Sequence, residues 1–431
     1  MRLISRKALI VVLTGILIFA FTAQSTVAGE TVINFIASVG GSGKSFAGGV
    51  ERFNEKYKGQ YRVEVTLVAW ESVLEKAVMQ FMSRRPTYDV LAVDGMWIPA
   101  VRQYLEPLDP YVARFGPEPV KLFGRGALRD LTYHGKIIAF PIRSGVILNY
   151  YRKDLLDAAG LKVPRTLDEY TAAARKLTRK DASGKVHVYG TSLMAQHPTW
   201  TTWSFSQFAR PHGISFLTDD NTGPSPALKE SGTLQILKFI KNLQDEGLTP
   251  NPLAWTYDDN VVAFQNGRLA MTPEMSVRAL LLEDHAKSQV AGKMGYDVLP
   301  AGKLGPDEPA YAGGYWTLAI DKNSKVKEAA YQFIKFMTSL ENQKYMAIKW
   351  SNGPTALALY DDPEYIKINP AAPAIKKVLE GIGYAQDFPV RQNPELTKVV
   401  HEEMQVFLLG RQTAEQTGMN MFNRIKEVME Q

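Results

Sequence analysis

The sequence predicts an α/β protein that is divided into two packing units. Strand-like segments alternate with helical segments of ten or more residues after residue 30, which is typical of parallel strands joined by crossover helices. The same strand-then-helix order returns after residue 315. The length of 431 residues is enough for two or three packing units, each with its own core.

Composition excludes several classes of protein. With 45% hydrophobic residues and a formal charge of +6, the chain is typical of a folded protein rather than a disordered one. The absence of cysteine excludes thiol catalysis, thiolate zinc sites and a lipoprotein anchor. No block of Lys and Arg is long enough to indicate a nucleic-acid groove, and the six histidines lack the spacing of a metal site. We therefore expect no cofactor, no metal and no nucleic-acid partner.

The first 28 residues predict a secretory signal peptide. Three basic residues precede an uncharged apolar run from Ala8 to Phe21, and the small residues Thr26 and Ala28 suit signal peptidase. We expect cleavage after Ala28, which lowers the formal charge to +3 because three basic and no acidic residues are removed. The expected location is the periplasm of a Gram-negative bacterium.

Local periodicity predicts the individual elements. Short β-rich or alternating runs predict strands at 31–36, 61–68, 88–93 and 316–320. Apolar residues three or four positions apart predict helices around 46–53, 73–82, 234–243 and 326–337, with Ser324 as the N-cap of the last. Capping boxes at 166–169 and 413–416 predict two further helix starts. The alternation of strands and crossover helices predicts a mainly parallel sheet.

Tryptophans near predicted loops and element ends are the most informative side chains. Core packing is one interpretation of each, and a platform for the flat C–H face of a sugar ring is the other. The Gly-rich segment 40–45 does not match a phosphate-binding loop, because Ser38 stands where that motif needs glycine. Its backbone N–H groups at a helix start could still bind a ligand oxygen. The tryptophans in question are Trp70, Trp97, Trp200, Trp203, Trp255 and Trp316.

A series of motifs in one order resembles the extracellular solute-binding proteins of ATP-binding-cassette (ABC) importers, in the sugar-binding branch that contains maltose-binding protein. The resemblance spans nearly all of the chain after residue 28. It rests on segments 135–142, 148–156, 159–161, 164–169, 264–271, 313–316, 324–336 and 410–415.

This resemblance implies a two-lobed periplasmic binding protein fold. The chain would cross between lobes three times, near 141–144, 298–300 and 350–354. One lobe would then contain residues 29–142 plus 299–350, and the other residues 143–298 plus 351–431. A ligand would be trapped in the cleft between the lobes as the hinge closes. The expected function is capture of a small-molecule carbohydrate and its delivery to inner-membrane ABC permease subunits, by a monomer that is not an enzyme.

The resemblance also implies a set of ligand-binding residues. From the first lobe come Gly41 and Ser42, then Trp70 and Glu71, then Asp94 and Trp97. The second lobe contributes His197, Trp200, Glu274 and Arg391, and a last group lies near the crossings: Gly314, Tyr315 and Trp316. For Trp316 a position in the sheet core is the alternative.

Two alternatives stay open from the sequence. Arg143 and Ser144 replace the small or acidic residues of the maltose-binding pattern, so that Arg143, Lys44 and Arg391 could bind a sugar acid or a polyol phosphate. A di- or oligosaccharide is favoured because the candidate aromatic residues exceed the need of one monosaccharide. The rival from another class is a secreted carbohydrate-active enzyme with Asp94, Glu274 or Tyr315 as acid or base.

Overall fold

The computed structural model describes residues 29–302, 314–380, 387–390 and 392–431. The predicted signal peptide and its cleavage position lie outside the described residues, as does Arg391. None of the helices in the described ranges is both long and apolar enough to cross a membrane.

Strands and helices alternate along the chain. The strands in the described residues are β1 (Thr31–Ser38), β2 (Tyr61–Val68), β3 (Val90–Asp94), β4 (Thr132–Tyr133), β5 (Lys136–Ile137), β6 (Phe140–Ser144), β7 (Ile147–Arg152), β8 (Arg179–Lys180), β9 (Val186–Val188), β10 (Met271–Met275), β11 (Met294–Asp297) and β12 (Tyr315–Ile320). The helices are α1 (Gly41–Lys56), α2 (Trp70–Ser83), α3 (Ile98–Val101), α4 (Asp109–Phe115), α5 (Glu118–Lys121), α6 (Arg125–Asp130), α7 (Lys153–Ala158), α8 (Leu167–Leu177), α9 (Pro198–Ala209), α10 (Ser231–Asp245), α11 (Tyr257–Gln265), α12 (Ala279–Leu282), α13 (Lys327–Met337), α14 (Leu340–Trp350), α15 (Pro363–Ile368), α16 (Ala372–Glu380), α17 (Asn393–Leu408) and α18 (Ala414–Met429).

The first sheet has five strands in the order β2-β1-β3-β12-β6. Strand β1 pairs in parallel with both β2 and β3, whereas β12 runs antiparallel to β3 and to β6. Four of the five strands therefore point the same way, and the prediction of a mainly parallel sheet is confirmed here.

The second sheet has the order β10-β7-β11, and both of its pairings are antiparallel. The prediction of a mainly parallel sheet is wrong for this unit. The two outer strands, β10 and β11, follow β7 in the sequence by more than a hundred residues and run antiparallel to it. Neither pair is therefore joined by a single crossover helix, which is the connection that produces parallel pairing.

The buried apolar side chains form two clusters, and the second sheet contributes to both, with Leu148 and Tyr150 in the cluster of the first sheet and Ile147 and Met271 in the other. Under the first sheet, Phe35 of β1 packs edge-to-face on Phe333 of α13, with ring centroids 5.2 Å apart. In the second unit, Tyr170 of α8 and Phe208 of α9 meet in the same way at 5.7 Å. The first contact fixes helix α13 on the sheet, and the second joins helices α8 and α9.

Both predicted capping boxes form. The side chain of Thr166 accepts a hydrogen bond from the backbone of Glu169 at the start of α8, and Thr413 does the same at the start of α18. The prediction for Ser324 differs by two residues, because α13 starts at Lys327 with Val326 as its N-cap. The Ser324 hydroxyl instead accepts from the backbone N–H of Val326 and donates to the carboxylate of Asp89.

The two sheets are joined where three segments run side by side. Strand β6 ends at Ser144 and β7 begins at Ile147, so the chain passes from the first sheet to the second within two residues. The N–H of Ser144 donates to the carbonyl of Gly353, and the N–H of Gly145 donates to the carbonyl of Gly314, both at 2.8 Å. These bonds tie three distant parts of the sequence together at the junction.

Candidate functional site

One side of the candidate site is built at the carboxyl-terminal edge of the first sheet. Because β1, β2 and β3 are parallel, the segments at their carboxyl ends meet at that edge. They place Ser42 in the first turn of α1, Trp70 at the start of α2 and Asp94 at the end of β3. Strand register adds two more side chains. Trp316 of β12 lies opposite Asp94 of β3 on one side and opposite Arg143 of β6 on the other.

Three tryptophans form a chain of ring contacts on this side. The ring centroids of Trp70 and Trp97 are 4.8 Å apart, and Trp97 meets Trp316 edge-to-face at 5.8 Å. Trp97 and Trp316 are only 8% and 7% exposed, whereas Trp70 is 39% exposed. Trp70 therefore has the most exposed ring of the three, while Trp97 and Trp316 are buried behind it in the chain of contacts.

Asp94 and Arg143 are two charged groups of this side whose contacts the structure describes. The carboxylate of Asp94 accepts hydrogen bonds from the backbone N–H of Met96 at 3.1 Å and from the indole N–H of Trp70 at 3.4 Å. Burial raises the pKa of Asp94 to about 6, although these bonds and nearby Arg143 oppose the rise. Arg143 donates from Nη1 to Oγ of Ser42 at 2.8 Å, and burial lowers its pKa.

The other side of the site centres on Glu274 in β10. Its side chain is 3% exposed, and each carboxylate oxygen accepts one hydrogen bond. Nδ2 of Asn260 donates to Oε2 at 2.9 Å, and the N–H of Met275 donates to Oε1 at 2.8 Å. Burial raises the pKa of Glu274 against the opposing effect of these donors. The network holds a single carboxylate in a fixed position.

A stack of flat groups lies beside this carboxylate. The rings of Trp200 and Tyr257 are 4.6 Å apart and nearly parallel, at 13°. The guanidinium of Arg278 is 4.8 Å from the centroid of the Tyr257 ring, and its Nε donates to the Tyr257 hydroxyl at 3.1 Å. His197, the N-cap of α9, lies 6.4 Å from Trp200 and accepts at Nδ1 from the N–H of Thr199.

The two sides meet electrostatically at Arg143. The charge of Arg143 interacts with Asp94 on its own side, and with Tyr257 and Arg278 on the other. Arg143 is therefore close enough to both halves of the site for their charges to affect it. Its position at the end of β6 puts it next to the chain crossing.

The structure brings most of the predicted site residues into these two groups. Gly41 and Ser42 begin α1, and Glu71 lies in the first turn of α2. Gly314 and Tyr315 instead lie at the junction of the sheets, where the buried Tyr315 ring packs on Gly95; a Cβ added at Gly95 would be 3.1 Å from that ring. Their roles, and that of Arg391, stay predictions.

Sequence reasoning missed three residues of the site and undervalued a fourth. Tyr257, Asn260 and Arg278 belong to no motif, and Arg143 was considered only as a partner for an acidic ligand. A capping motif in the sequence could have indicated the first two of these residues, Tyr257 and Asn260. Thr256 and Asp259 form a capping box that starts α11 at Tyr257, so Tyr257 and Asn260 lie one turn apart at a helix start. No group of three or more metal-ligating side chains occurs among the described residues.

Comparison with known proteins gives one family and one fold. Residues 37–344 match the family model described as bacterial extracellular solute-binding protein. A probable amino-acid ABC transporter periplasmic-binding protein of Sinorhizobium fredii is 23% identical over 384 residues, which cover 85% of this chain and 82% of the relative.

Two solved structures extend the comparison to nearly the whole chain. A solute-binding protein of Agrobacterium radiobacter in complex with ribitol has a TM-score of 0.77 at 24% identity, over 93% of this chain and 99% of its own. The maltose-bound MalE3 of T. maritima has a TM-score of 0.75 at 25% identity, over 92% and 100%. The predicted two-lobed periplasmic binding protein fold is confirmed.

Proposed function

The chain belongs to the family of bacterial extracellular solute-binding proteins, and from this premise we propose that it captures a sugar or polyol and delivers it to an ABC permease. It is a solute-binding protein and not an enzyme, so the rival prediction of a carbohydrate-active enzyme is not supported. The ligand would be held between the Trp70 side and the Trp200 side of the site and released unchanged.

The observation that carries this proposal is the pairing of flat aromatic faces with fixed hydrogen-bonding groups on both sides. A sugar or polyol presents hydroxyls around C–H surfaces. Exposed Trp70 and half-buried Trp200, which Tyr257 supports by stacking, suit the C–H surfaces, and Asp94, Arg143 and Glu274 suit the hydroxyls. The burial of Trp97 and Trp316 removes two of the platforms on which the expectation of a di- or oligosaccharide depended.

Ligand contacts on both sides of the site would favour closure of the hinge. Only a ligand with higher affinity for the closed state shifts the balance toward it, and contacts on both sides provide that difference. The partner would be the permease, which must distinguish the loaded from the empty protein. We further propose that the protein acts as a monomer in the periplasm after cleavage of residues 1–28.

The lobe boundaries are proposed with one change from the sequence prediction. Residues 355–380 contact the first unit, whereas the sequence prediction assigned them to the second lobe. The N–H of Leu357 donates to the carbonyl of Leu122 at 3.1 Å, and Phe123 forms a β-bridge with Ala356. Helices α17 and α18 instead pack on α9 and α10. We therefore propose residues 355–380 as part of the first lobe.

A thermal-shift screen tests the proposed function. The mature protein, refolded free of carried-over ligand, would be screened against sugars and polyols of one to several units. A ligand at 100 times its dissociation constant adds about 2.7 kcal/mol of stability, which moves the melting temperature by several degrees.

Two variants of helix α2 provide the matched control. Trp70→Ala should reduce the ligand-induced shift, whereas Met82→Ala should leave it unchanged, because Met82 lies at the far end of α2 and is 71% exposed. A selective shift with the compound recovered intact supports the proposal. Chemical conversion of the compound, or no shift across the panel, contradicts it.

A further inference from the structure

The outer face of helix α2 ends in an exposed apolar patch. Because an α-helix turns about 100° per residue, Val78, Met79 and Met82 fall within about 100° of its circumference. They are 42%, 61% and 71% exposed, respectively. Single exposed apolar side chains are ordinary at a protein surface, but three together at one helix end form a candidate contact surface. We call these three residues, together with Arg84 and Arg85, the α2 tip.

The two arginines of the α2 tip are exposed cations. Among the described residues, neither of them forms an ion pair with a carboxylate. Arg84 has a φ of 55° at the C-cap of α2, in the left-handed region that favours glycine. The backbone therefore does not explain an arginine at this position, and the exposed side chain is available to a partner.

A third cation adjoins the α2 tip through Tyr104. The Tyr104 ring stacks on Phe81 with centroids 4.9 Å apart, and its hydroxyl lies 4.0 Å from Sδ of Met82. The ammonium of Lys322 is 5.2 Å from the centroid of the Tyr104 ring and donates to the carbonyl of Gln103 at 2.9 Å. Apolar and cationic groups therefore lie side by side at this end of the helix.

The carboxylates near the α2 tip are buried or lie farther back along the helix. Asp89 and Asp321 are 8% and 0% exposed, and each accepts hydrogen bonds from neutral donors. Glu75 is exposed about 10 Å before Met82 along the helix axis, and Glu71 lies a further turn away. The Debye length in physiological salt is about 8 Å, so a partner that touches only the tip meets mainly positive charge.

We propose that the α2 tip binds the surface of an anionic lipid bilayer. The protruding apolar side chains would enter the boundary between headgroups and acyl chains, while the cations interact with anionic headgroups. A protein partner needs a complementary surface of about 800 Å² on each side, whereas a bilayer needs only protruding apolar groups beside cations. This contact is separate from ligand capture. It would hold the protein beside the bilayer that contains the proposed permease.

Vesicle sedimentation of the protein without residues 1–28 tests the inference. Those residues are removed because their apolar run would itself bind a bilayer. Vesicles of phosphatidylglycerol and phosphatidylcholine would be compared with vesicles of phosphatidylcholine alone, at about 50 mM and about 500 mM salt. We expect at least about fivefold stronger binding to the anionic vesicles at low salt and a loss of that preference at high salt. No binding to the anionic vesicles, or equal binding to both compositions, would overturn the inference.

Two variants separate the apolar and cationic contributions of the α2 tip. Met82→Glu removes its most exposed apolar side chain and should lower binding to the anionic vesicles by at least about fivefold. The double variant Arg84→Gln/Arg85→Gln should lower that binding by about 10- to 30-fold at low salt, because each cation near an anionic surface contributes separately. Unchanged binding of both variants would overturn the inference.

Matched changes far from the α2 tip provide the controls. Met419→Glu in α18 places the same charge at another exposed methionine, and Lys162→Gln/Lys185→Gln removes the same charge from exposed positions of the second unit. Neither control should change vesicle binding by more than about twofold. Equal losses in control and tip variants would overturn the inference, because net charge alone would then explain the binding.

Melting temperatures equal to that of the wild type would show that each variant is folded. The vesicles contain no ligand, so failure of this inference and failure of the proposed function are distinguishable. The inference is also overturned if the wild type does not bind vesicles while the tip variants lower ligand uptake by cells, since the α2 tip would then be a protein-docking surface.

Discussion

Replacing Trp316 with alanine should lower the melting temperature of the ligand-free protein more than replacing Trp70 does. The two indoles belong to the same chain of ring contacts, but Trp316 is 7% exposed and Trp70 is 39% exposed. Trp316 also packs edge-to-face on Phe46 at 6.4 Å, and its strand pairs on both sides. Its loss therefore opens a cavity inside the first unit.

The expected difference can be worked from the exposed fractions. On a side chain of about 250 Å², the two exposures differ by about 80 Å² of buried surface. At about 25 cal/mol per Å², this is about 2 kcal/mol in the free energy of unfolding. A cavity adds to the cost of Trp316→Ala, for which about 3–5 kcal/mol is typical. We expect Trp316→Ala to melt about 4 °C or more below Trp70→Ala.

Calorimetric melting of both ligand-free variants, followed by titration with the ligand from the screen, checks this prediction. Trp70→Ala should weaken binding by about 5- to 50-fold, because it removes an exposed stacking face. The reasoning is refuted if Trp70→Ala melts lower than Trp316→Ala. It is also refuted if Trp316→Ala keeps the wild-type melting temperature and loses ligand, since Trp316 would then be a ligand platform and not a core residue.

Two further predictions concern the pH dependence and the hinge. The raised pKa of Asp94 means that the folded state binds its proton more tightly than the unfolded state, so its contribution to stability is greatest below about pH 4 and is lost as pH rises to about 6. Urea titrations should therefore show wild-type stability falling relative to Asp94→Asn by at most about 3 kcal/mol between pH 4 and pH 7, and parallel curves would contradict this. At the hinge, a Cβ added at Gly353 would lie 2.1 Å from the carbonyl oxygen of Ser144, so Gly353→Ala should lower the free energy of unfolding by about 1–3 kcal/mol. Gly223→Ala, which meets no atom within 4 Å, should change it little, and equal effects of the two variants would argue against a close contact at the hinge.

Local features of the fold were predictable from the sequence because their causes are local. Strand β2 occupies the predicted residues 61–68, and both capping boxes form between residues three apart. The antiparallel position of β12 between β3 and β6 was not predictable, since those partners lie far away in the sequence. The N-cap of α13 differs from the predicted Ser324 also because of a distant partner, since the Ser324 hydroxyl donates a hydrogen bond to Asp89.

Some residues of the candidate site could likewise be predicted from the sequence, and others could not. Asp94 and Trp70 follow strands, and such positions at a sheet edge can be expected from the strand pattern. Tyr257 and Arg278 are brought together by the packing of α11 beside the segment that follows β10, and no spacing rule connects them. The sequence also did not predict how deeply each tryptophan is buried. Trp97 and Trp70 each follow a strand closely, yet they differ in exposure by a factor of nearly five.

Arg143 lies where the chain passes from the first sheet to the second and interacts with charged groups of both units. It is the residue before Ser144, whose N–H is bonded to Gly353 at the junction, and it lies four residues before β7 of the second sheet. Its guanidinium is anchored to Ser42 on the first side and interacts with Tyr257 and Arg278 on the second. A movement of the second unit about the junction therefore changes the distance between Arg143 and Arg278, two like charges. A ligand oxygen that accepts hydrogen bonds from both arginines would reduce that repulsion most in the closed arrangement. We therefore expect Arg143 to couple ligand binding to closure of the cleft.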